Sequence, residues 1–252
     1  MYSQIILILF ISLFLSGCNS QVNNLNNKIS DKIGQNKQKI VDFQDSIAPE
    51  PSKILISGLP NKHLINTSFV QQAPEKNWDQ PWQDTCEEAA ILTVDYYYKN
   101  QKPNKSEIKN DLLKMIEYEH QQNWTKDINI FQMAQIGSSY LGYKTEIIED
   151  PTIETIKQKV AENIPIIIPA NGKILYEENK HFKDGGPYYH NLVILGYDDN
   201  RQQFIVHDVG TQFGAYYKYS YQLLIQSIHD FPETNIKQDI NNGHKRVLIL
   251  LK

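Results

Sequence analysis

The stretch that most constrains the fold is Cys86 to Lys99, CEEAAILTVDYYYK. Ala89, Ala90, Ile91, Leu92, Val94 and Tyr97 make this segment apolar nearly all round, so as a helix it must be buried. Asp84 is a candidate N-cap, with Glu87 three residues on to complete a capping box. A chain that buries such a helix needs a second layer to cover it. The segment also begins at a cysteine. A thiol in the first turn faces unpaired backbone N–H groups and the positive end of the helix dipole, and both favour the thiolate. Glu87 and Glu88 oppose that effect, although acidic residues are themselves favoured at a helix start.

The second layer reads as a late antiparallel sheet. Helices are predicted over Asn104–Gln122 (capped by Asn104 and Glu107), Asp127–Leu141, Thr152–Asn163 and Ser220–His229. Strands are predicted over Lys53–Leu59, Leu64–Val70, Tyr143–Ile148, Ile164–Ala170, Tyr188–Tyr197, Gln202–Val206 and Arg246–Leu251. Helices come first and most strands later, so the class is α+β. The polar, aperiodic stretch Asn171–Pro187 reads as a flap over the site.

A three-residue loop at 198–200 would place His190 directly opposite Asp208, on one face of the sheet. A loop one residue shorter or longer would turn them to opposite faces. His207 would then point the other way, toward the surface. A thiol on a helix end with an imidazole and a carboxylate paired on a sheet is the nucleophile, base and orienter arrangement. The order Cys86, His190, Asp208 matches that of papain-like enzymes. A metal site at His190, His207 and Asp208 is disfavoured, because no His-Glu-x-x-His motif accompanies it, and no cofactor motif is present. The net charge of -4, from 25 basic and 29 acidic residues, leaves no basic surplus for nucleic acid.

The amino terminus reads as an address. Ile5–Leu15 is an apolar run too short for a bilayer span of about 20 residues. It fits a secretory leader, and Leu15-Ser16-Gly17-Cys18 resembles a bacterial lipobox. The expected organisation is a signal peptide at 1–17, a lipidated Cys18 with a polar tether at 18–52, and a catalytic domain at 53–252. The membrane is then a partner through the lipid anchor, on the extracytoplasmic side.

SFVQQAP, the two tryptophans Trp78 and Trp82, TCEEAA, PYYHNLVILGYDD and FIVHDVG, in this order, resemble the peptidase family 39-like proteins, relatives of the double-glycine bacteriocin-processing peptidases. Many relatives carry Cys-Gly-Pro-Ala where this chain has Cys86-Glu87-Glu88-Ala89. The resemblance implies a papain-like fold, with Cys86 on a central helix packed on a sheet carrying His190 and Asp208. It implies a peptide or protein substrate and a glutamine in the oxyanion hole. Gln72 is preferred and Gln80, six residues before Cys86, is the alternative. Trp78 and Trp82 read first as packing around the glutamine loop; with Tyr189 they are also candidates for the substrate groove. Three functions follow: a lipid-anchored cysteine peptidase, an amidase or transpeptidase on cell-wall peptides, or an inactive peptide-binding protein.

Overall fold

The computed structural model describes residues 58–252. The expected leader, Cys18 and tether, and most of the Lys53–Leu59 strand, lie outside the described residues. Among the described residues no helix is long and apolar enough to cross a membrane.

The elements in chain order are β1 (Lys62–Leu64), α1 (Cys86–Lys99), α2 (Lys105–Gln121), α3 (Ile130–Gln135), β2 (Lys144–Glu149), α4 (Ile153–Ala161), β3 (Ile166–Asn171), α5 (Gly172–Leu175), β4 (Tyr189–Asp198), β5 (Gln203–Asp208), β6 (Tyr217–Ser220), α6 (Tyr221–Ser227) and β7 (Arg246–Leu251). The sheet runs β2-β7-β3-β4-β5-β6, with β1 also paired to β4, and every pairing is antiparallel. Strands β3 and β4 are buried along their whole length, as expected for central strands whose faces are both covered. Each fully buried Ile, Leu or Val there contributes roughly 1.5–3 kcal/mol. Helix α1 packs across β4. This is the expected α+β layout: a helical half whose central helix starts at Cys86, set against a sheet carrying His190 and Asp208.

Local chemistry sets most boundaries. Asn104 and Glu107 form the expected capping box on α2. Helix α1 stops at Asn100, whose left-handed φ of 51° lets its N–H reach Tyr96 and Tyr97 carbonyls. Its start differs from expectation. Asp84 ends a short 3₁₀ turn, Trp82–Asp84, and Thr85 takes the N-cap position without capping the helix, its hydroxyl donating back to the Pro81 carbonyl instead. Helix α3 begins at Ile130 rather than Asp127, because Asn129 and Gln132 form their own capping box. It then widens into a π turn over Ile136–Tyr140. Of the Leu64–Val70 stretch only Leu64 is in a strand. Beyond Ile65 the chain leaves the sheet, and the Tyr216 hydroxyl takes both backbone groups of Thr67.

The β4–β5 hairpin differs in an instructive way. Its strands end at Asp198 and resume at Gln203, so the turn is Asp199–Gln202 and Asp198 faces Gln203. A continuous ladder from that turn would put His190 and Asp208 on opposite faces. Leu195 is an extra residue on β4: the register moves there, so that Leu192, not His190, faces Asp208. The bulge restores the parity that the turn had broken. It lies where β1 closes on β4. The Leu195 carbonyl accepts from Ile65 N–H at 2.8 Å, and a Cβ on Gly196 would stand 2.6 Å from the His63 carbonyl oxygen.

Candidate active site

Cys86 is the first residue of α1, and its Sγ meets two side chains. The thiol donates to Glu87 Oε2 at 3.0 Å, and Asn191 Nδ2 donates to the sulfur at 3.7 Å. Burial and then the charge and hydrogen bond of Glu87 push the thiol pKa well up, against a smaller opposing pull from Asn191. The helix-end effect expected to favour thiolate is therefore outweighed in this arrangement. Glu87 and Glu88 do not turn away to solvent: both are buried, and burial first, then neighbouring carboxylates, raise both above the ordinary range.

His190 and Asp208 do meet. His190 Nε2 lies 2.8 Å from Asp208 Oδ1, with Phe182 edge-on against the ring at 5.3 Å. Asp208 Oδ2 accepts from Tyr219 Oη at 2.6 Å and from Asn179 Nδ2 at 3.0 Å. Burial alone would raise this carboxyl, but His190, Tyr219 and Asn179 together hold it below its usual range. Gly210 lies flat on the imidazole; a Cβ there would stand 2.5 Å from His190 Cε1.

Cys86 and His190 line one cleft of about 550 Å³, together with Gln72, Trp78, Gln83, Phe182, Tyr189 and Phe213. No hydrogen bond joins the thiol to the imidazole. Adjacent strand residues point to opposite faces, and the sulfur sits with Asn191 rather than His190. The expected flap contributes His181 to Asp184, Gly186 and Pro187 to the cleft wall.

The two glutamine candidates separate clearly. Gln72 lines the cleft with Cys86, whereas Gln80 is bonded to Asp84 and lines a different cavity. Gln72 Nε2 donates to the Trp82 and Gln83 carbonyls, and its buried Oε1 has no partner. Trp78 and Tyr189 line the cleft, while Trp82 is buried behind the glutamine loop. His207 faces away from Asp208 as expected, but it is fully buried between Phe69 and Tyr216 rather than at the surface. The alternation of β5 gave its direction; nothing in the sequence showed that Phe69 and Tyr216 would cover it. Asn179 and Tyr219, which complete the Asp208 shell, had no sequence signal either. Asn191 could have been noticed as a polar residue inside an otherwise apolar strand. Among the described residues no cluster of three or more His, Cys, Asp or Glu side chains could hold a metal ion.

The family model described as Peptidase C39 like family matches residues 64–234. Among curated proteins, none matches the chain significantly. Among the solved structures that resemble it are these two. One, from Bacillus anthracis and provisionally assigned as a C39-like peptidase, is 16% identical with a TM-score of 0.45, covering 76% of this chain and 98% of that one. The other is xylellain, a cysteine protease from Xylella fastidiosa, 12% identical with a TM-score of 0.48, covering 81% of this chain and 90% of that one.

Proposed function

From the premise that this chain belongs to the Peptidase C39 like family and is a cysteine peptidase, we propose that it cleaves peptides through Cys86, His190 and Asp208. The observation that carries the reading is the 2.8 Å contact of His190 and Asp208 on the wall of the cleft that also holds Cys86. With Nε2 engaged by Asp208, Nδ1 is the imidazole nitrogen left to accept the thiol proton. Catalytic hydrogen bonds of free enzymes often tighten only with substrate bound.

The reaction then runs in two halves. Cys86 sulfur attacks the peptide carbonyl while His190 Nδ1 takes the thiol proton. That proton passes to the leaving amine as the C–N bond breaks, leaving a thioester. Water, deprotonated by His190, attacks the thioester and restores the thiol. The Cys86 backbone N–H, unpaired at the helix start, and Gln72 hold the oxyanion. Gln72 Nε2 must release one of its two carbonyl partners to do so. Such a donor is worth about 10²–10³ in rate. Trp78, Phe182, Tyr189 and Phe213 give the cleft an aromatic lining suited to apolar peptide side chains.

Anchoring through Cys18 belongs to the same proposal, and Leu15-Ser16-Gly17-Cys18 supports it. Metabolic labelling with a fatty acid should mark the chain and fail on Cys18→Ser.

A second reading, peptide binding without turnover, has one observation in its favour: the sulfur is bonded to Glu87 and not to His190. Incubating the protein with a peptide library and analysing the fragments by mass decides between them. Turnover that vanishes in Cys86→Ala with an unchanged melting curve supports the peptidase. Turnover that survives the substitution sinks the triad, and no turnover by the wild type favours the binding role.

A further inference from the structure

We propose that Glu87 is a positioning residue that holds the Cys86 nucleophile as a thiol, on the Asn191 side of β4 and off His190, until a substrate enters the cleft. This rests on the reading of Cys86 as the nucleophile.

The geometry leaves Glu87 little other use for its second oxygen. The residue is fully buried, and its Oε1 is held by the Ile128 backbone N–H at 3.2 Å. Its Oε2 therefore faces the sulfur, at 3.0 Å. Asn191 completes the holding site from β4, and its own Oδ1 has no partner. No cation balances this carboxyl among the described residues. The charged and titratable groups facing the pair are Glu88 on α1, Asp127 before α3 and Tyr189 on β4. Asp84 acts on Glu88 from the turn before α1, and Asp230 acts on Tyr189. Lys237 lies against Asp84 and Asp127 instead, Lys126 also acts on Asp127, and Lys183 stands on the cleft wall. His190 shares the cleft without touching the sulfur. An uncompensated buried carboxyl against a thiol disfavours the thiolate, and it adds to the burial that already pushes this thiol up.

Release needs no new proton. Rotation about the Cα–Cβ bond breaks the S–H···Oε2 contact and frees the thiol for the imidazole that shares its cleft. The S–H proton then moves to Nδ1, and Glu87 keeps the protonation state it had. A holding site of this kind limits reaction of the free enzyme with stray electrophiles, because the reactive ion pair forms only when the side chain turns.

Glu87→Gln separates holding from mere packing. The amide carbonyl still accepts from Ile128 N–H, while an NH₂ donor now faces the sulfur. The test is the pH dependence of Cys86 alkylation by iodoacetamide on the full chain, read from the mass of the Cys86-bearing peptide so that Cys18 does not contribute. The expected result is a wild-type midpoint above the ordinary value of about 8.5 and a midpoint about one pH unit lower in Glu87→Gln, with labelling roughly tenfold faster at pH 7. The acid limb of peptide turnover should move the same way. Superimposed profiles for two equally folded proteins, or slower labelling of the variant, overturn the proposal. Should the variant not fold, a wild-type midpoint at or below about 8.5 overturns it alone. If turnover depends on Cys86 but the profiles coincide, the holding role fails and the peptidase stands; turnover that survives Cys86→Ala removes the peptidase reading itself.

Discussion

His190 and Asp208 meet diagonally, not face to face: Nε2 and Oδ1 are 2.8 Å apart although the residue opposite Asp208 is Leu192. Diagonal neighbours on one face lie farther apart than direct partners and need long side chains to touch. Here the imidazole spans the gap. The carboxylate is fixed from behind by Tyr219 and Asn179 and from the side by Gly210 N–H at 3.3 Å. All four contacts donate to Asp208, so it acts only as an acceptor.

Asp208→Asn should lower kcat/KM by at least about 10²-fold while the protein stays folded, because an amide presents the imidazole with the wrong tautomer. Tyr219→Phe removes one of several donors and should cost no more than about tenfold. Steady-state peptide turnover beside a thermal melt checks both. Near-normal turnover in Asp208→Asn would remove it from the machinery.

Gly210→Ala tests the placement of the ring. The new methyl would stand 2.5 Å from Cε1 and 3.0 Å from Nε2 of His190, neither of which is a flexible chain end. The imidazole must shift or the loop must lift. Turnover should fall about 10²-fold from the misplacement, with stability falling by roughly 1–3 kcal/mol. An active variant would show that the cleft rim gives way freely.

His207 makes the fold acid-sensitive. Burial lowers its pKa to about 4, against a smaller opposing pull from the Ser68 backbone, and neither ring nitrogen has a well-aligned hydrogen-bond partner. The unfolded chain binds this proton near pH 6.5, so the folded state holds fewer protons between about 6.5 and 4. Stability from this residue is full above that window and is lost as pH falls through it, by roughly 2–3 kcal/mol. Urea melts at pH 7 and pH 4.5 should show His207→Leu gaining on the wild type by that amount at the lower pH. A gap independent of pH would contradict the assignment.

Glu88 and Glu119 act in the opposite sense. They are buried side by side. Burial raises both carboxyls; Glu119 adds to the rise of Glu88, while the hydrogen bond to Glu88 pulls Glu119 back, leaving it at about 8. A carboxyl raised in this way stabilises most when protonated, and its contribution is lost as pH rises through the folded pKa. Glu119→Gln should therefore gain stability relative to the wild type between pH 5 and pH 9. Parallel stability curves would show that the pair carries no shared proton.

Patterns within one segment were readable from the chain. The Asn104–Glu107 capping box, the α1 segment apolar nearly all round and the Ile-rich β3 needed no partner to declare themselves. Cys86, His190 and Asp208 could be singled out by residue type and order. What escaped was settled by contacts between distant segments. The Leu195 bulge depends on β1 closing against Gly196, and the Asp208 shell on Asn179 from an aperiodic stretch. The burial of His207 depends on Phe69 and Tyr216 arriving from two sides. The contact of Glu87 with the sulfur depends on Ile128, which fixes the other carboxyl oxygen.

The extra residue at 195 also sets where this gene can change length. Asn200 and Arg201, at the exposed hairpin tip, lie beyond the last paired rung, so added codons there leave every rung in place. Losing the single codon for Leu195 would rotate the half of β4 that carries His190 by one step and present its ring to the wrong side. Length drift in this hairpin is thus permitted at its visible end and forbidden at one hidden position several residues inside.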